Sequence, residues 1–316
     1  MLNIDLNELE DKLKPVIGIV DSIEPIGNHN LQRHLVYKLS CGNKKYVIKI
    51  YYKKNRWNRE LASLKIFANT EVLVPKIVDY GVSNNGLEWL IYDYIEGELL
   101  SQVDKKLSLD NLKEIYYGMG RQLGIIHYYK EFNFFGSMDE NARSIQGFTT
   151  YREYFEDLIN RMLSELYSFE HQNLILLKQA ENQLKSMYSI LDEVNKATLC
   201  HNDFGPRNIL VSEVDGKYYL KAIIDFEQCI PTDVDEELVQ VYLPLIEKNK
   251  VLAESFKLGY EKFGVINKDK LNSKKDFYNL HKGLGICAWA KEVDYEYYLE
   301  GIKILEETMN KFRPHH

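Results

Sequence analysis

The sequence predicts an α+β protein of two lobes, with a small N-terminal lobe built on an antiparallel sheet and a larger, mainly helical C-terminal lobe. Residues 1–95 alternate between β-branched or aromatic segments and turn residues, which is typical of short strands. The tripeptide Glu96-Gly97-Glu98 ends this pattern, and apolar residues then recur at helical spacing. We therefore expect lobes at residues 1–95 and 96–316, joined by a hinge that borders a cleft.

The N-terminal lobe is predicted to hold five strands and two helices. The turn Cys41-Gly42-Asn43-Lys44 joins two strands in a hairpin, and Ser83-Asn84-Asn85-Gly86 separates the last two strands. Leu61, Leu64 and Phe67 share one face of the second helix. The strands are expected at residues 17–20, 35–39, 46–51, 76–80 and 87–94, and the helices at residues 5–14 and 56–68.

The C-terminal lobe is predicted to be helical apart from a few short apolar strands. These strands lie between the third and fourth helices, and each leads into or out of a polar loop. The helices are expected at residues 109–130, 151–166, 172–195, 235–263 and 274–312.

Composition narrows the class of protein. The 316 residues carry a net charge of −7, which argues against a nucleic-acid partner and is compatible with a cationic small-molecule acceptor. Four widely spaced cysteines favour neither zinc nor disulfides, so a reducing compartment is expected. The acidic N-terminal segment does not resemble a signal peptide, and no apolar run has the length of a membrane span. We expect a cytoplasmic protein without a membrane or obligate protein partner.

Two polar segments contain most of the candidate catalytic and metal-binding residues. Residues 199–210 read Leu-Cys-His-Asn-Asp-Phe-Gly-Pro-Arg-Asn-Ile-Leu, and Asp225 follows the apolar run Ala222-Ile223-Ile224. One carboxylate, Asp203, is placed to orient or deprotonate a hydroxyl, while Asn208 and Asp225 offer the oxygen ligands that Mg²⁺ prefers. Taken alone, Asp203 could be a turn cap. The presence of Asn208 and Asp225 beside Asp203 instead favours transfer of a phosphoryl group from a nucleotide to an alcohol.

Two neighbours of these residues have other expected roles. His201 is predicted to support its loop by hydrogen bonding, because no second histidine lies near it to form a zinc site. Glu227 lies two residues after Asp225 and could act through a metal-bound water, or face solvent from the loop.

Lys49 is the candidate phosphate-binding group of the first lobe. It lies within the apolar strand Val47-Ile48-Lys49-Ile50, and a buried lysine needs an anionic partner. Glu60, at the start of the following helix, could supply that partner and hold the ammonium toward the nucleotide phosphates. The alternative is that Lys49 lies on the solvent face of an edge strand.

Together these residues resemble the protein-kinase-like fold, and within it the aminoglycoside phosphotransferase and choline kinase group of small-molecule kinases. The resemblance implies that Asp203 is the base and that Asn208 and Asp225 bind Mg²⁺. It also implies that Lys49, paired with Glu60, contacts phosphate. The backbone of Tyr94 and Ile95 would face the nucleobase, and Gly27 and Asn30 would lie near the phosphates. The segments that carry the resemblance are Val47-Ile48-Lys49, Tyr92-Asp93-Tyr94-Ile95, His201-x-Asp203-x-x-x-x-Asn208 and Ile224-Asp225-Phe226-Glu227.

Of three departures from protein kinases, the first two favour a small-molecule acceptor. Gly205 stands where protein kinases carry a lysine, and Glu227 follows Asp225-Phe226 where they carry glycine. The sequence also lacks a Gly-x-Gly-x-x-Gly loop, although Gly27-Asn28-His29-Asn30 lies between the first strands. The co-substrate is ATP or GTP with Mg²⁺. Tyr92, a bulky residue at the back of the expected base pocket, suggests the hypothesis that GTP is used.

The acceptor is expected to be an aminoglycoside-type antibiotic, as in a resistance enzyme. Carboxylates just after the metal-binding segment would attract a polycation. The same carboxylates could instead only favour a helix N-terminus. Choline or ethanolamine is an alternative acceptor, with Trp289 and nearby tyrosines as an aromatic cage. A further alternative is a pseudokinase-like protein that binds nucleotide without turnover. The candidate acceptor-binding residues are Glu227, Asp233, Asp235 and Glu236.

Overall fold

An antiparallel sheet of strand order β1-β2-β3-β5-β4 forms the N-terminal lobe in the computed structural model, which describes residues 13–27, 29, 34–84 and 86–313. The register pairs Val36 with Lys49 and Lys49 with Leu90, so Lys49 lies on a central strand rather than an edge. Helix α1 packs beside this sheet. The elements are β1 (Ser22–Ile26), β2 (His34–Cys41), β3 (Lys44–Tyr51), α1 (Arg56–Phe67), β4 (Ile77–Val82) and β5 (Glu88–Asp93).

The first predicted strand is wrong. Residues 13–17 are helical, residues 18–20 have no regular structure, and the first strand begins at Ser22. Leu13 and Ile17 pack with Leu39, Ile48 and other apolar residues on the outer face of the sheet, which explains why an apolar segment could be mistaken for a strand. Most of the helix predicted at residues 5–14 lies outside the described residues.

The C-terminal lobe confirms the predicted helical character. Two small three-stranded sheets, β10-β9-β6 and β11-β8-β7 in the described residues, border the helices. The elements are β6 (Glu98–Leu99), α2 (Leu100–Val103), α3 (Leu109–Tyr128), β7 (Glu131–Phe132), α4 (Tyr151–Leu166), α5 (Leu174–Ser186), β8 (Ala197–Cys200), β9 (Ile209–Val214), β10 (Lys217–Ile223), β11 (Ile230–Thr232), α6 (Val234–Lys248), α7 (Lys250–Tyr260), α8 (Lys268–Ala290) and α9 (Tyr295–Met309).

Two of the predicted long helices are each divided in the structure. Asn249 adopts an extended conformation between α6 and α7, and its side chain accepts hydrogen bonds from Val251 N and Leu252 N. Asp294 does the same before α9, where its Oδ1 accepts from Tyr297 N. Asparagine and aspartate compete with the helix for backbone donors, so they end one helix and cap the next.

The two lobes share a core beneath α1. Phe67 of α1 and Phe226, in the loop after β10, pack with ring centroids 5.8 Å apart. Trp57, Leu61 and Leu64 belong to the same apolar cluster as the helices of the C-terminal lobe. Helix α1 contacts the loop that carries Asp225. The charged residues of α1 are therefore held close to that loop. No helix in the described ranges is both long and apolar enough to cross a membrane.

Helices α3 and α7 cross at a glycine contact that should not tolerate a side chain. A Cβ at Gly120 would lie 1.9 Å from the carbonyl oxygen of Phe256. We expect Gly120→Ala to lower the free energy of unfolding by about 2–3 kcal/mol, because backbone would have to move. Chemical denaturation measures this. Gly285→Ala is the control, since its Cβ would meet its nearest neighbour, Met162 Sδ, at 3.6 Å. Equal stability of the two variants would contradict the packing argument.

Candidate active site

The sheet register brings the two polar loops together. Strand β8 ends at Cys200, and the loop that follows carries Asp203 and Asn208 into β9. Strand β10 runs back antiparallel, with Ile223 opposite Ile209, and Ile224 N donates to the carbonyl oxygen of Asn208 at 3.0 Å. Asn208 and Asp225 are therefore neighbours although the β9–β10 hairpin separates them in sequence.

Both oxygens of the Asp203 carboxylate accept hydrogen bonds. Asn208 Nδ2 donates to Oδ2 at 3.0 Å and to the Asp203 carbonyl at 2.8 Å, while Arg207 Nη2 donates to Oδ1. Because the Asn208 amide directs its hydrogens at Asp203, its amide oxygen is the atom left to face a ligand. The side chains of Asp203 and Arg207 are 25% and 63% exposed, so this pair lies open to the cavity.

Asp225 holds a backbone conformation that non-glycine residues rarely adopt. Its φ is 67° and its ψ 61°, in the left-handed region. Asn202, beside the candidate base, also has a positive φ of 60°. Such conformations cost energy and are found preferentially at functional sites, where the surrounding structure enforces them. They turn the chain sharply at the ends of β8 and β10.

Lys49 is buried among three carboxylates. Its Nζ lies 2.8 Å from Glu60 Oε2, 2.6 Å from Asp225 Oδ1 and 3.1 Å from Glu227 Oε2, and the residue is 2% exposed. Tyr51 OH donates to the same Glu60 oxygen at 2.7 Å. The Lys49–Glu60 pair predicted from sequence is thus present in the structure, and the alternative of a solvent-facing lysine does not hold.

Glu60 and Glu227 respond differently to the same lysine. Burial alone would lower the pKa of Lys49, but Asp225, Glu60 and Glu227 raise it well above its ordinary value. Burial raises the pKa of Glu60 despite Lys49 beside it. Burial would also raise the pKa of Glu227, yet Lys49 and His34 hold it well below its ordinary value. Lys49 therefore stays charged and Glu227 stays ionised.

Glu227 is a buried partner of Lys49 rather than a solvated loop residue. Besides Lys49, its oxygens approach His34 Nδ1 at 2.8 Å and Arg56 Nη1 at 3.7 Å. The oxygens of Glu60, Asp225 and Glu227 lie close enough together to hold a cation, and the Lys49 ammonium occupies that position. His34 and Arg56 were not predicted, because nothing local in the sequence marks them.

His201 supports the catalytic loop as predicted, and Glu237 does so without having been predicted. His201 Nε2 donates to the Ile224 carbonyl at 3.1 Å, and its Nδ1 accepts from Asp203 N at 3.3 Å. The buried Glu237 carboxylate accepts from His201 N at 2.9 Å, from Asn202 N at 2.7 Å and from His127 Nε2 at 2.8 Å. No local pattern in the sequence marks Glu237, because its contact partners are distant in sequence.

A cavity of about 680 Å³ joins these groups, which is large enough for a nucleotide and part of an acceptor. Lys49, Asp203 and Asp225 line it together with Gly27 and the hinge. Asn30 lies outside the described residues. The other predicted site residues on the cavity wall are Tyr94, Ile95, Asn208 and Glu227, and Trp289, Asp294 and Tyr297 also line the cavity.

Of the four acidic residues predicted to bind the acceptor, Glu227 lines the cavity, whereas Asp233, Asp235 and Glu236 do not. Lys274 Nζ lies 2.9 Å from Asp233 Oδ2 and 2.7 Å from Asp235 Oδ2, and all three residues are buried. Asp233 also caps α6 through Asp235 N. Glu236 accepts from Tyr151 OH at 3.0 Å and lies 2.9 Å from His281 Nδ1. These contacts agree with the alternative reading, in which the cluster stabilises the start of a helix.

The donor set fits a hard divalent cation. Asn208 and Asp225 present an amide oxygen and a carboxylate on adjacent loops of one cavity, and hard cations such as Mg²⁺ prefer oxygen ligands. The buried group of His127, Cys200 and Glu237 is different, because hydrogen bonds within the protein already use it. Among the described residues, Asn208 and Asp225 are therefore the groups that could hold Mg²⁺.

Comparison with known proteins identifies the family and the fold of this chain. The profile of the phosphotransferase enzyme family matches residues 23–263. The structure of aminoglycoside phosphotransferase APH(4)-Ia aligns with a TM-score of 0.75 at 15% identity, covering 98% of this chain and all of that one. A ternary complex of a thermostable mutant of that enzyme with AMP-PNP and hygromycin B aligns at 0.72, 14% identity and coverages of 98% and 100%.

The GDP complex of a mutant aminoglycoside 2′-phosphotransferase-IIIa aligns with a TM-score of 0.65 at 15% identity, covering 97% of this chain and 96% of that one. No curated protein sequence matches this chain. The fold and the site define a kinase-like enzyme that acts on small molecules. The chain belongs to the phosphotransferase enzyme family, because the family profile spans most of its length.

The contact between Glu237 and the catalytic loop predicts a loss of turnover when it is weakened. Glu237→Gln replaces a carboxylate that accepts three hydrogen bonds with a group that has one acceptor oxygen. We expect turnover to fall about 10- to 100-fold because Asp203 is displaced. Nucleotide affinity, measured by calorimetry, should change little. Glu247→Gln, at an exposed position on the same helix, is the control. An unaffected Glu237→Gln enzyme would refute this supporting role.

Proposed function

We propose that the protein transfers the γ-phosphoryl group of ATP or GTP directly to a hydroxyl of a small molecule. The observation that carries this proposal is the placement of Lys49, Asp203 and Asp225 on the wall of one cavity. A cation for phosphate, a carboxylate for the hydroxyl and an oxygen ligand for a metal are the groups that such a transfer needs. No protein nucleophile is required, so no phosphoenzyme is expected.

Each group has one task in the transfer. Lys49, held by Glu60, would contact the phosphates. Asn208 and Asp225 would hold Mg²⁺, which would offset phosphate charge. Asp203 would orient the acceptor hydroxyl and take its proton as the new O–P bond forms and the bond to the β-phosphate oxygen breaks. The nucleoside diphosphate leaves, and the backbone of Tyr94 and Ile95 is proposed to face its base.

The aminoglycoside prediction has support and a weakness. Relatives of the same fold carry the aminoglycoside phosphotransferase name, and one is described with hygromycin B. The carboxylates on which the prediction rested, Asp233, Asp235 and Glu236, are engaged elsewhere. We therefore propose a hydroxylated small molecule as the acceptor class and retain aminoglycosides as one member to be tested. Choline remains the alternative, since Trp289 and Tyr297 line the cavity with ring centroids 5.3 Å apart.

The test is nucleotide consumption in the presence of Mg²⁺ with a panel of acceptors, followed by identification of the phosphorylated product. The panel comprises aminoglycosides, other antibiotics with hydroxyls, choline, ethanolamine, hydroxy acids and sugar phosphates. Stoichiometric formation of a phosphate ester supports the proposal, and chelation of the metal should abolish it. Nucleotide binding without transfer to any acceptor would instead favour the pseudokinase alternative.

The nucleotide preference can be predicted from Tyr92. Burial raises the pKa of its phenol and the Glu60 carboxylate raises it further, which indicates a protonated hydroxyl near the Lys49–Glu60 pair. A bulky group there would restrict adenine, and a relative of the same fold is described with GDP. We expect kcat/KM for GTP to exceed that for ATP by about 10-fold, a difference of roughly 1.4 kcal/mol. Equal values, or a preference for ATP, would contradict this hypothesis.

A further inference from the structure

Arg207 forms an ion pair with the candidate base. It lies inside the loop that carries Asp203, directly before Asn208, and its guanidinium donates to Asp203 Oδ1. The side chain is 63% exposed and lines the same cavity as Trp289, Asp294 and Tyr297. In the described residues, Lys49 and Asp225 bond to each other and not to Arg207, and the nucleotide is proposed to bind beside them. We therefore assign the part of the cavity beside Arg207 to the acceptor.

A second cation reinforces the charge of Arg207. Lys282 of α8 reaches solvent, yet desolvation by surrounding protein and the like charge of Arg207 lower its pKa. The pKa of Arg207 would be lowered by burial, but Asp203 and the Tyr297 hydroxyl raise it. Both groups are thus within electrostatic range of Asp203.

Two acidic groups of the same region already have contacts within the protein. Asp294 Oδ1 caps α9 by accepting from Tyr297 N at 3.0 Å. Glu300 acts electrostatically on Lys282 and partly offsets the lowering of its pKa. A polycationic acceptor that binds beside Asp203 would meet Arg207 on the cavity wall, and like charges placed face to face disfavour binding. The same repulsion applies to the quaternary ammonium of choline.

The contact with Arg207 also occupies one carboxylate oxygen of the candidate base, Asp203. Asp203 Oδ2 accepts from Asn208 and Oδ1 from Arg207, so neither oxygen is without a hydrogen bond when no ligand is bound. An acceptor that offers its own oxyanion can compete for the guanidinium, because carboxylate and phosphate match its forked donors. Competition at Arg207 would leave Oδ1 to accept from the acceptor hydroxyl.

We propose that the acceptor carries a carboxylate or phosphate close to the hydroxyl that becomes phosphorylated, and that Arg207, assisted by Lys282, binds this oxyanion. The inference rests on the proposed phosphotransfer and specifies its substrate class. In the transfer, the hydroxyl proton passes to Asp203 Oδ1, the acceptor oxygen bonds to the γ-phosphorus, and the nucleoside diphosphate departs. The oxyanion itself is unchanged.

The experiment compares acceptors that differ only in the anion. The carboxylate pair is 4-hydroxybutyrate and its amide, and the phosphate pair is glycerol 3-phosphate and glycerol. Hygromycin B represents the polycationic class. For at least one pair, we expect kcat/KM to favour the anionic member by about 10- to 100-fold, the range of a charge-assisted hydrogen bond. The pair that shows the preference distinguishes a carboxylate from a phosphate acceptor.

Variants separate recognition of the anion from a structural effect. Arg207→Gln should reduce the preference for the anionic member to near unity, and Arg207→Lys should restore part of it because a point charge remains. Lys282→Gln should reduce the preference by a smaller factor. Lys303→Gln removes one charge at an exposed position of α9 and should retain the full preference. A general loss of fold would lower turnover for both members of a pair and leave their ratio unchanged.

A binding measurement tests recognition of the anion even for acceptors that are phosphorylated slowly. Binding of 4-hydroxybutyrate and glycerol 3-phosphate to the protein saturated with Mg-ADP is followed by NMR titration. One of them should bind wild type about 10-fold or more tightly than Arg207→Gln. Equal or undetectable binding of both anions overturns the inference, as does preferential phosphorylation of hygromycin B. If Mg-ADP itself does not bind and no acceptor is phosphorylated, the proposed function fails as well.

Discussion

Asp203→Asn is expected to reduce turnover about 10³-fold, within the range contributed by a general base. The amide has nearly the same shape as the carboxylate but cannot take a proton from the acceptor hydroxyl. Lys49 and Asp225, which are proposed to contact the nucleotide and its metal, do not bond to the Asp203 side chain in the described structure. Nucleotide affinity should therefore change by less than about 3-fold.

Single-turnover kinetics and calorimetric titration with nucleotide measure these two effects separately. Asp215→Asn is the matched control, because it makes the same chemical change at an exposed turn residue between β9 and β10. Asp215 has a φ of 52°, a conformation that asparagine also tolerates. If Asp203→Asn kept more than about a tenth of wild-type turnover, Asp203 would not be the base.

Lys49→Met should affect both stability and activity. It removes the cation that lies between Glu60, Asp225 and Glu227 and leaves buried carboxylates without their main partner. Breaking a buried ion pair from one side typically costs about 3–5 kcal/mol, and we expect a loss of this size at pH 7. Turnover should fall at least about 100-fold, because the phosphates lose a positioning charge.

Lys45→Met provides the comparison on the same strand. Lys45 is 45% exposed and its Nζ lies 2.6 Å from Glu96 Oε1. An exposed ion pair is worth about 0–1 kcal/mol, so this variant should stay close to wild type in chemical denaturation. Equal destabilisation by the two substitutions would mean that burial of Lys49 carries no special cost.

The destabilisation by Lys49→Met should depend on pH in a defined direction. In the wild type the pKa of Glu227 is lowered, so its contribution to stability is present above the unfolded pKa of about 4.3 and is lost as pH falls. Without Lys49, burial raises the carboxylate pKa values, and the cost of burying charge is relieved by protonation at low pH. The difference between wild type and variant should therefore shrink from pH 7 toward pH 4. A constant difference would argue against buried charge as the cause.

Local signals in the sequence predicted that Asp203, Asn208 and Asp225 lie together, and there is a physical reason why the structure brings them to one cavity. Asp203 and Asn208 lie on one loop between two strands, and Asp225 follows the strand that pairs with the second of them. Residues so close along a hairpin can occupy few alternative arrangements. The helix at residues 151–166 was predicted with the observed bounds, and in the structure a capping box of Thr150 and Glu153 marks its start.

Other features depend on contacts between segments that are far apart in sequence. The acidic cluster after Glu227 looked like an acceptor site, but α8 brings Lys274 against Asp233 and Asp235. The break at Asn249 also depended on context, because an asparagine within an amphipathic run is a helix end only when its side chain caps the next turn. Neither outcome can be read from spacing alone.

By itself, the sequence predicted the candidate groups for phosphoryl transfer, the two-lobed α+β architecture and the small-molecule branch of the family. Motif spacing and hydrophobic periodicity suffice for these predictions, since both are visible within short stretches of sequence. Only the tertiary structure decided which charges pair with one another. It buried Glu227 against Lys49, engaged Asp233 and Asp235 with Lys274, and left Arg207 exposed beside Asp203. Charge pairing is decided by which segments the fold packs together, and we propose that the acceptor is recognised by the charge that remains exposed in the cavity.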